Sequence, residues 1–145
     1  MDDAAPLIIE SDGTRRKGST RHLTDEWLLE FPDKTLRYLR FDHSIRLQIG
    51  ASLVGIESPF ELLRNGATHR CDPDDPQSVV PLLKLWPDNL VTATVEPNAT
   101  LTMSFTSGAS ISVAADPNRE AWEVRGPGTF LVVCNMDPGS ISVWE

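Results

Sequence analysis

Glu120, Trp122, Glu123 and Arg125 stand together in the stretch NREAWEVRGPG (118–128), just before a Gly-Pro-Gly turn. Such a set has three readings: a reaction site, a recognition surface, or the edge of a β-protein core. Paired carboxylates can cleave glycosidic bonds, but only at a defined spatial separation, which spacing along a chain does not give. If residues 121–125 form a strand, Trp122 and Val124 share the face that enters the core, and Ala121, Glu123 and Arg125 share the solvated one. That reading accounts for every residue except Glu120. In the recognition reading Trp122 is partly exposed beside Glu120 and Arg125, since Trp and Arg are common binding anchors. Trp144 then lies nearby if the last two strands pair. The candidate binding surface is therefore Glu120, Trp122, Glu123, Arg125 and Trp144.

Other reactive constellations are weak. His22, His43 and His69 are scattered over a tail, a predicted turn and a loop. Asp42-His43 could pair a base with its orienting carboxylate, although a turn commonly exposes both. Cys134 lies in the apolar run FLVVCNM (130–136), where a cysteine behaves as a small hydrophobe. Cys71 lies in THRCDPDD (68–75), read as a polar loop. His69 and Cys71 lack the further ligand pair that a zinc site needs. The Gly-Pro-Gly turn lacks the Gly-Lys-Ser/Thr ending of a phosphate loop, and no GxSxG elbow occurs. No catalytic residue, metal or cofactor is expected.

The composition narrows the partners. The formal charge is −8. Arg15, Arg16, Lys17 and Arg21 balance Asp2, Asp3, Glu10 and Asp12, so the chain after residue 22 carries the whole excess. Such a body repels phosphate backbones, which disfavours nucleic acid, and attracts a basic protein partner. No apolar run approaches the roughly 20 residues that span a bilayer. The start MDDAAPLIIE is acidic with a short apolar run, unlike a secretory signal, so a cytoplasmic protein is expected. Two cysteines are too few for a disulfide framework.

The elements that must position these residues come in two sets. FPDKTLRYLRF (31–41) resembles WPDNLVTATV (86–95), and IRLQIGASLVGIESP (45–59) resembles MSFTSGASISVAADP (103–117). At an offset of 58, Gly50-Ala51-Ser52 falls on Gly108-Ala109-Ser110, Leu47 on Phe105, Leu53 on Ile111 and Pro59 on Pro117. Leu101, Met103 and Phe105 alternate with Thr102 and Ser104, as Ile45, Leu47 and Ile49 do with Arg46 and Gln48. That is the period-two signature of half-buried strands. FELLRNG (60–66) reads as another strand ending in an Asn-Gly turn. Two short helices are expected. One covers HLTDEWLLEF (22–31), starting near Thr24 or Asp25 and stopped by Pro32. The other covers SVVPLLKLW (78–86), capped by Ser78, with Pro81 in its first turn.

The expected protein is mainly β: two tandem antiparallel β-meander modules forming a pseudo-symmetric sandwich or barrel, with one or two short helices. Residues 1–22 are read as a mobile tail. Residues 23–145 form a single domain of two repeats, about 27–70 and 82–145, joined by CDPDDPQ (71–77).

The carboxyl-terminal half resembles a family of small uncharacterised actinobacterial proteins, a domain of unknown function. The matching residues are Ala121-Trp122-Glu123, Gly126-Pro127, Val133-Cys134, Pro138-Gly139 and Val143-Trp144, with IESPFELL (56–63) in the first half. The likeness covers roughly residues 27–145. It implies a bacterial, cytoplasmic setting, and it supplies neither an activity nor catalytic residues.

Two functions follow. The first is a non-enzymatic protein-binding module docking a basic partner, for instance an immunity or antitoxin protein that neutralises a basic toxin nuclease. The second is a small-molecule-binding or catalytic β-barrel, its pocket lying between the repeats and lined by Trp86, Trp122 and Cys134. A homodimer through a free edge strand is a third arrangement.

Overall fold

The computed structural model describes residues 19–22, 26–136 and 139–145. Among them are thirteen strands: β1 (Ser19–His22), β2 (Trp27–Glu30), β3 (Leu36–Phe41), β4 (Ile45–Ile49), β5 (Ser52–Ile56), β6 (Phe60–Arg64), β7 (Ala67–Cys71), β8 (Leu90–Val95), β9 (Leu101–Phe105), β10 (Ser110–Val113), β11 (Trp122–Arg125), β12 (Leu131–Cys134) and β13 (Ile141–Trp144). They form two antiparallel sheets, ordered β1-β2-β8-β9-β10-β6-β7 and β13-β12-β11-β5-β4-β3. The arrangement is a sandwich and not a closed barrel.

The alternating side chains explain the layers. Leu47, Ile49, Val54 and Ile56 leave one sheet inward, and Leu62, Leu101, Met103 and Ile111 leave the other, all fully buried in one core. Burying each such side chain stabilises by about 1.5–3 kcal/mol. A 3₁₀ helix (Pro76–Leu85) adds Val79, Leu82 and Leu85.

The two halves of the chain share one pairing pattern. In β3–β4, Leu36 faces Ile49 and Tyr38 faces Gln48, with a bulge between. In β8–β9, Leu90 faces Phe105 and Thr92 faces Ser104, with a bulge at the same place. The halves do not each make a sheet, however. After β5 the chain crosses over, and β6–β7 pair onto β10 of the other half. After β10 it crosses back, and β11–β12–β13 pair onto β5. The two halves of the chain thus exchange hairpins.

Several expectations are corrected. The Gly-Ala-Ser match misplaces the strands on both sides of it: Phe105, facing Leu90, corresponds to Ile49, facing Leu36, and not to Leu47. The β4–β5 turn is Gly50-Ala51, between the paired Ile49 and Ser52. The β9–β10 turn is one residue longer, Thr106-Ser107-Gly108, closed by the Phe105 amide donating to the Ala109 carbonyl at 2.9 Å. Val54, facing Leu47, therefore corresponds to Ile111, facing Met103. The expected equivalent, Leu53, points to the opposite face, because a one-residue slip reverses every side chain.

The first predicted helix is strand β2. Pairing with β8, Trp27 to Val95 and Leu28 to Thr94, buries Leu29 and overrides the helix preference of Leu and Glu. Its expected start at Thr24 or Asp25 lies outside the described residues. The second helix is 3₁₀ and begins earlier. Asp75, not Ser78, caps it, accepting from the Gln77 amide at 3.2 Å. Ser78 instead ties back to the loop, its hydroxyl accepting from the Asp72 amide at 2.7 Å. Pro81 falls inside the helix, where it has no N–H to donate.

Cys71 is not in a loop but ends β7, directly opposite Phe60. The Asn65–Gly66 turn, with φ of 54° and 78°, returns the chain into Ala-Thr-His-Arg-Cys. That run looks polar because β7 is an edge strand. Ser19–His22 lies within the span expected to be a tail, yet forms β1 against β2. Residues 1–18 of that span, and Pro138 of the final turn, lie outside the described residues.

Candidate functional site

The outward face of the six-stranded sheet carries two cross-strand rows. The first runs Tyr38, Gln48, Leu53, Arg125, Leu131, Trp144. The second runs Arg40, Arg46, Gly55, Glu123, Val133, Ser142. Glu123, Arg125 and Trp144 thus share one face, as expected if the last strands pair. Trp144 stands two strand spacings from Arg125, about 10 Å, and is 52% exposed. Arg125 reaches Glu123 at 3.7 Å. An exposed pair of this kind contributes about 0–1 kcal/mol, so both groups are available to a partner at small cost.

Glu120 joins this face from the side. It lies on the link 114–121, which carries the chain from β10 to β11. Residues 57–59 are the corresponding link between β5 and β6. The two links are bonded together. The Ser58 hydroxyl donates to Asp116 at 3.0 Å, the Glu57 amide to the Ala121 carbonyl at 2.8 Å, and Arg119 to the Glu57 carbonyl at 3.0 Å. The Asn118 amide, the Ser58 hydroxyl and Arg119 hold the Asp116 carboxyl below its usual range.

Where the links meet the sheet lies a depression of about 540 Å³ lined by Arg46, Glu57, Asn118, Arg119, Glu120 and Glu123, with Trp122 behind them. Arg46 lies across Gly55: a Cβ on that glycine would sit 2.6 Å from the guanidinium and 3.5 Å from Glu123. The strand can hold Arg46 flat only because this position has no side chain. Arg46 reaches Glu57 at 3.8 Å, while its Nε has no partner. Glu120 is exposed and makes no hydrogen bond or ion pair among the described residues.

Trp122 does not belong to the exposed set. It is fully buried, and its indole N–H donates to the Ala99 carbonyl at 2.9 Å. This is the core position that the strand reading gives it, and it removes Trp122 as a contact anchor. Ala121, expected on the solvated face, is also buried, because it precedes the regular strand and its carbonyl accepts from Glu57. The expected pocket of Trp86, Trp122 and Cys134 does not form. Trp122 and Cys134 are buried together against Ala99, whereas Trp86 is half exposed beside β3. Burial pushes both cysteine thiols up, away from the thiolate.

Asp42 accepts from the amide and hydroxyl of Ser44, making a turn, while His43 projects to within 3.7 Å of Asp74. Asp42 and His43 are therefore engaged separately. Among the described residues no group of three or more His, Cys, Asp or Glu side chains could hold a metal ion. No helix there is long and apolar enough to cross a membrane.

Sequence reasoning missed Arg46, Gly55 and Glu57. One signal was present: a glycine inside a strand often marks a close approach, and Gly55 interrupts SLVGI.

Residues 27–145 match the Family of unknown function (DUF6188), and the chain belongs to that family. No curated protein and no solved structure matches it.

Proposed function

We propose that the chain is a non-enzymatic protein-binding module, and that the depression at the crossing links is the centre of its recognition surface. The observation that carries this reading is the convergence of Glu57, Glu120 and Glu123 on one depression, with Glu120 unpaired among the described residues. A lysine or arginine of a partner entering there meets three carboxylates set against the guanidinium groups of Arg46 and Arg119, a net negative lining. Arg125 and Trp144 flank it as further anchors. The net charge of −8 steers a basic partner inward from a distance and raises its association rate. An immunity or antitoxin protein masking a basic nuclease in the cytoplasm is the concrete form this takes. The charged lining suits a partner's side chain better than a free small molecule, whose pockets are mostly apolar.

The test is affinity capture from the source organism with the wild-type chain and with Glu120→Lys/Glu123→Lys. The reading expects a stoichiometric basic protein on the wild type, held less tightly as salt rises and lost on the variant. Absence of such a protein, or equal capture by both chains, overturns it.

A further inference from the structure

The six-stranded sheet ends at β3, whose outer edge pairs with no strand among the described residues. Beside that edge runs a groove of about 380 Å³ lined by Arg37, Tyr38, Leu39, Phe41, Leu83 and Trp86. Leu39 and Phe41 lean into the core from the strand. Tyr38, Leu83 and Trp86 stay 46%, 55% and 51% exposed. The groove thus offers an apolar wall beside unpaired backbone donors and acceptors.

Its charge runs against that of the whole chain. The one charged residue in its lining is Arg37; Arg40 on β3 and Lys84 on the 3₁₀ helix stand on the same elements, with Asp42 beside Arg40 just past the strand. Asp33 reaches Arg37 at 3.5 Å, but both are well exposed, so a competing carboxylate displaces it at little cost. We infer that the groove is a docking slot for an extended acidic peptide segment of another protein, added as a strand on β3. Alternate apolar side chains of that segment rest on Leu83 and Trp86, and its carboxylates meet Arg37, Arg40 and Lys84.

The same arginines disfavour a second copy of this chain. Two β3 edges brought together would gather Arg37, Arg40 and Lys84 of both copies along one seam, and like charges held close are destabilising. An acidic strand turns that repulsion into attraction. The bulge between Leu36 and Tyr38 limits the regular edge to Tyr38–Phe41. The docked stretch is therefore short, about four residues or ~13 Å.

A random dodecapeptide phage library selected on the purified full chain tests this. The slot expects enrichment of peptides alternating Asp or Glu with Val, Ile, Leu or an aromatic residue. A synthetic copy of an enriched peptide should bind about tenfold or more weakly to Arg37→Glu/Arg40→Glu and to Trp86→Ala. It should bind unchanged to Leu63→Ala, an exposed site on the other sheet. Backbone N-methylation of the peptide should abolish binding. These side chains are exposed, and circular dichroism checks that each variant folds. The inference is overturned if no peptide is enriched, if the enriched peptides lack acidic alternation, or if binding ignores the groove variants or N-methylation. Sedimentation showing a dimer that Trp86→Ala dissociates assigns the groove to a second copy and also overturns it.

Discussion

Ser58 lies on one of the two links by which the chain changes sheets and Asp116 on the other, and the Ser58 hydroxyl donates to the Asp116 carboxylate at 3.0 Å. Ser58 is nearly fully buried, and the bond joins the two halves of the chain where they cross. The candidate depression lies against this junction, so the bond that closes the fold also holds Glu57 and Glu120 in place.

Ser58→Ala should lower stability by about 1.5–3 kcal/mol near neutral pH, the range for a hydrogen bond to a charged group. The Asp116 carboxyl is held below its ordinary 3.8 in the folded chain. Its contribution is therefore fully present above that value and disappears as pH falls through the folded one. Urea midpoints of wild type and variant should differ at pH 7 and converge in acid as Asp116 becomes protonated. A gap that persists in acid would assign the loss to packing.

Trp122→Phe should cost about 2–3 kcal/mol, because it leaves the buried Ala99 carbonyl only the weak Cys134 thiol as donor and removes part of a filled core. Ala99 is held at a φ of 69°, a conformation unfavourable for alanine, and its carbonyl receives the indole N–H. Urea unfolding measures the loss. Partner binding by the folded variant should be unchanged, since the indole reaches no solvent.

Gly55→Ala should separate stability from recognition. The new methyl meets the flexible end of Arg46, not backbone, so stability should stay within about 1 kcal/mol of wild type. The guanidinium must lift off the sheet, and affinity for a captured partner should fall about tenfold. Unfolding curves and titration calorimetry on the same preparation report the two quantities.

Cys71 and Cys134 should resist a disulfide reagent in the native protein and react together once the chain is unfolded. Both are fully buried, and burial raises both thiols. Colorimetric thiol counting with and without denaturant is sufficient. Fast native reaction of either residue would mean that its strand opens readily.

Much of the layering was legible because period-two alternation is a local signal. Ile45, Leu47 and Ile49 face inward, as do Leu101, Met103 and Phe105, and Trp122 with Val124 follows the same rule. What failed was non-local. Trp27–Glu30 has a helical composition and becomes a strand only because β8 lies beside it. Ala67–Cys71 looks like a loop because an edge strand tolerates polar residues. The exchange of hairpins has no local signature, since β6 could pair equally well with β5 by pattern alone. That Glu123, Arg125 and Trp144 share a face was legible because they sit in neighbouring strands near the carboxyl end. Arg46 and Glu57 come from the other half, and only the crossing of the links brings them to Glu120.

The traded hairpins also bear on how the chain must assemble. Each layer draws strands from both halves, so neither half can close a layer before the other has been made. The long-range pairings β10–β6 and β11–β5 must form across the middle of the chain, and such non-local closure is slow to form.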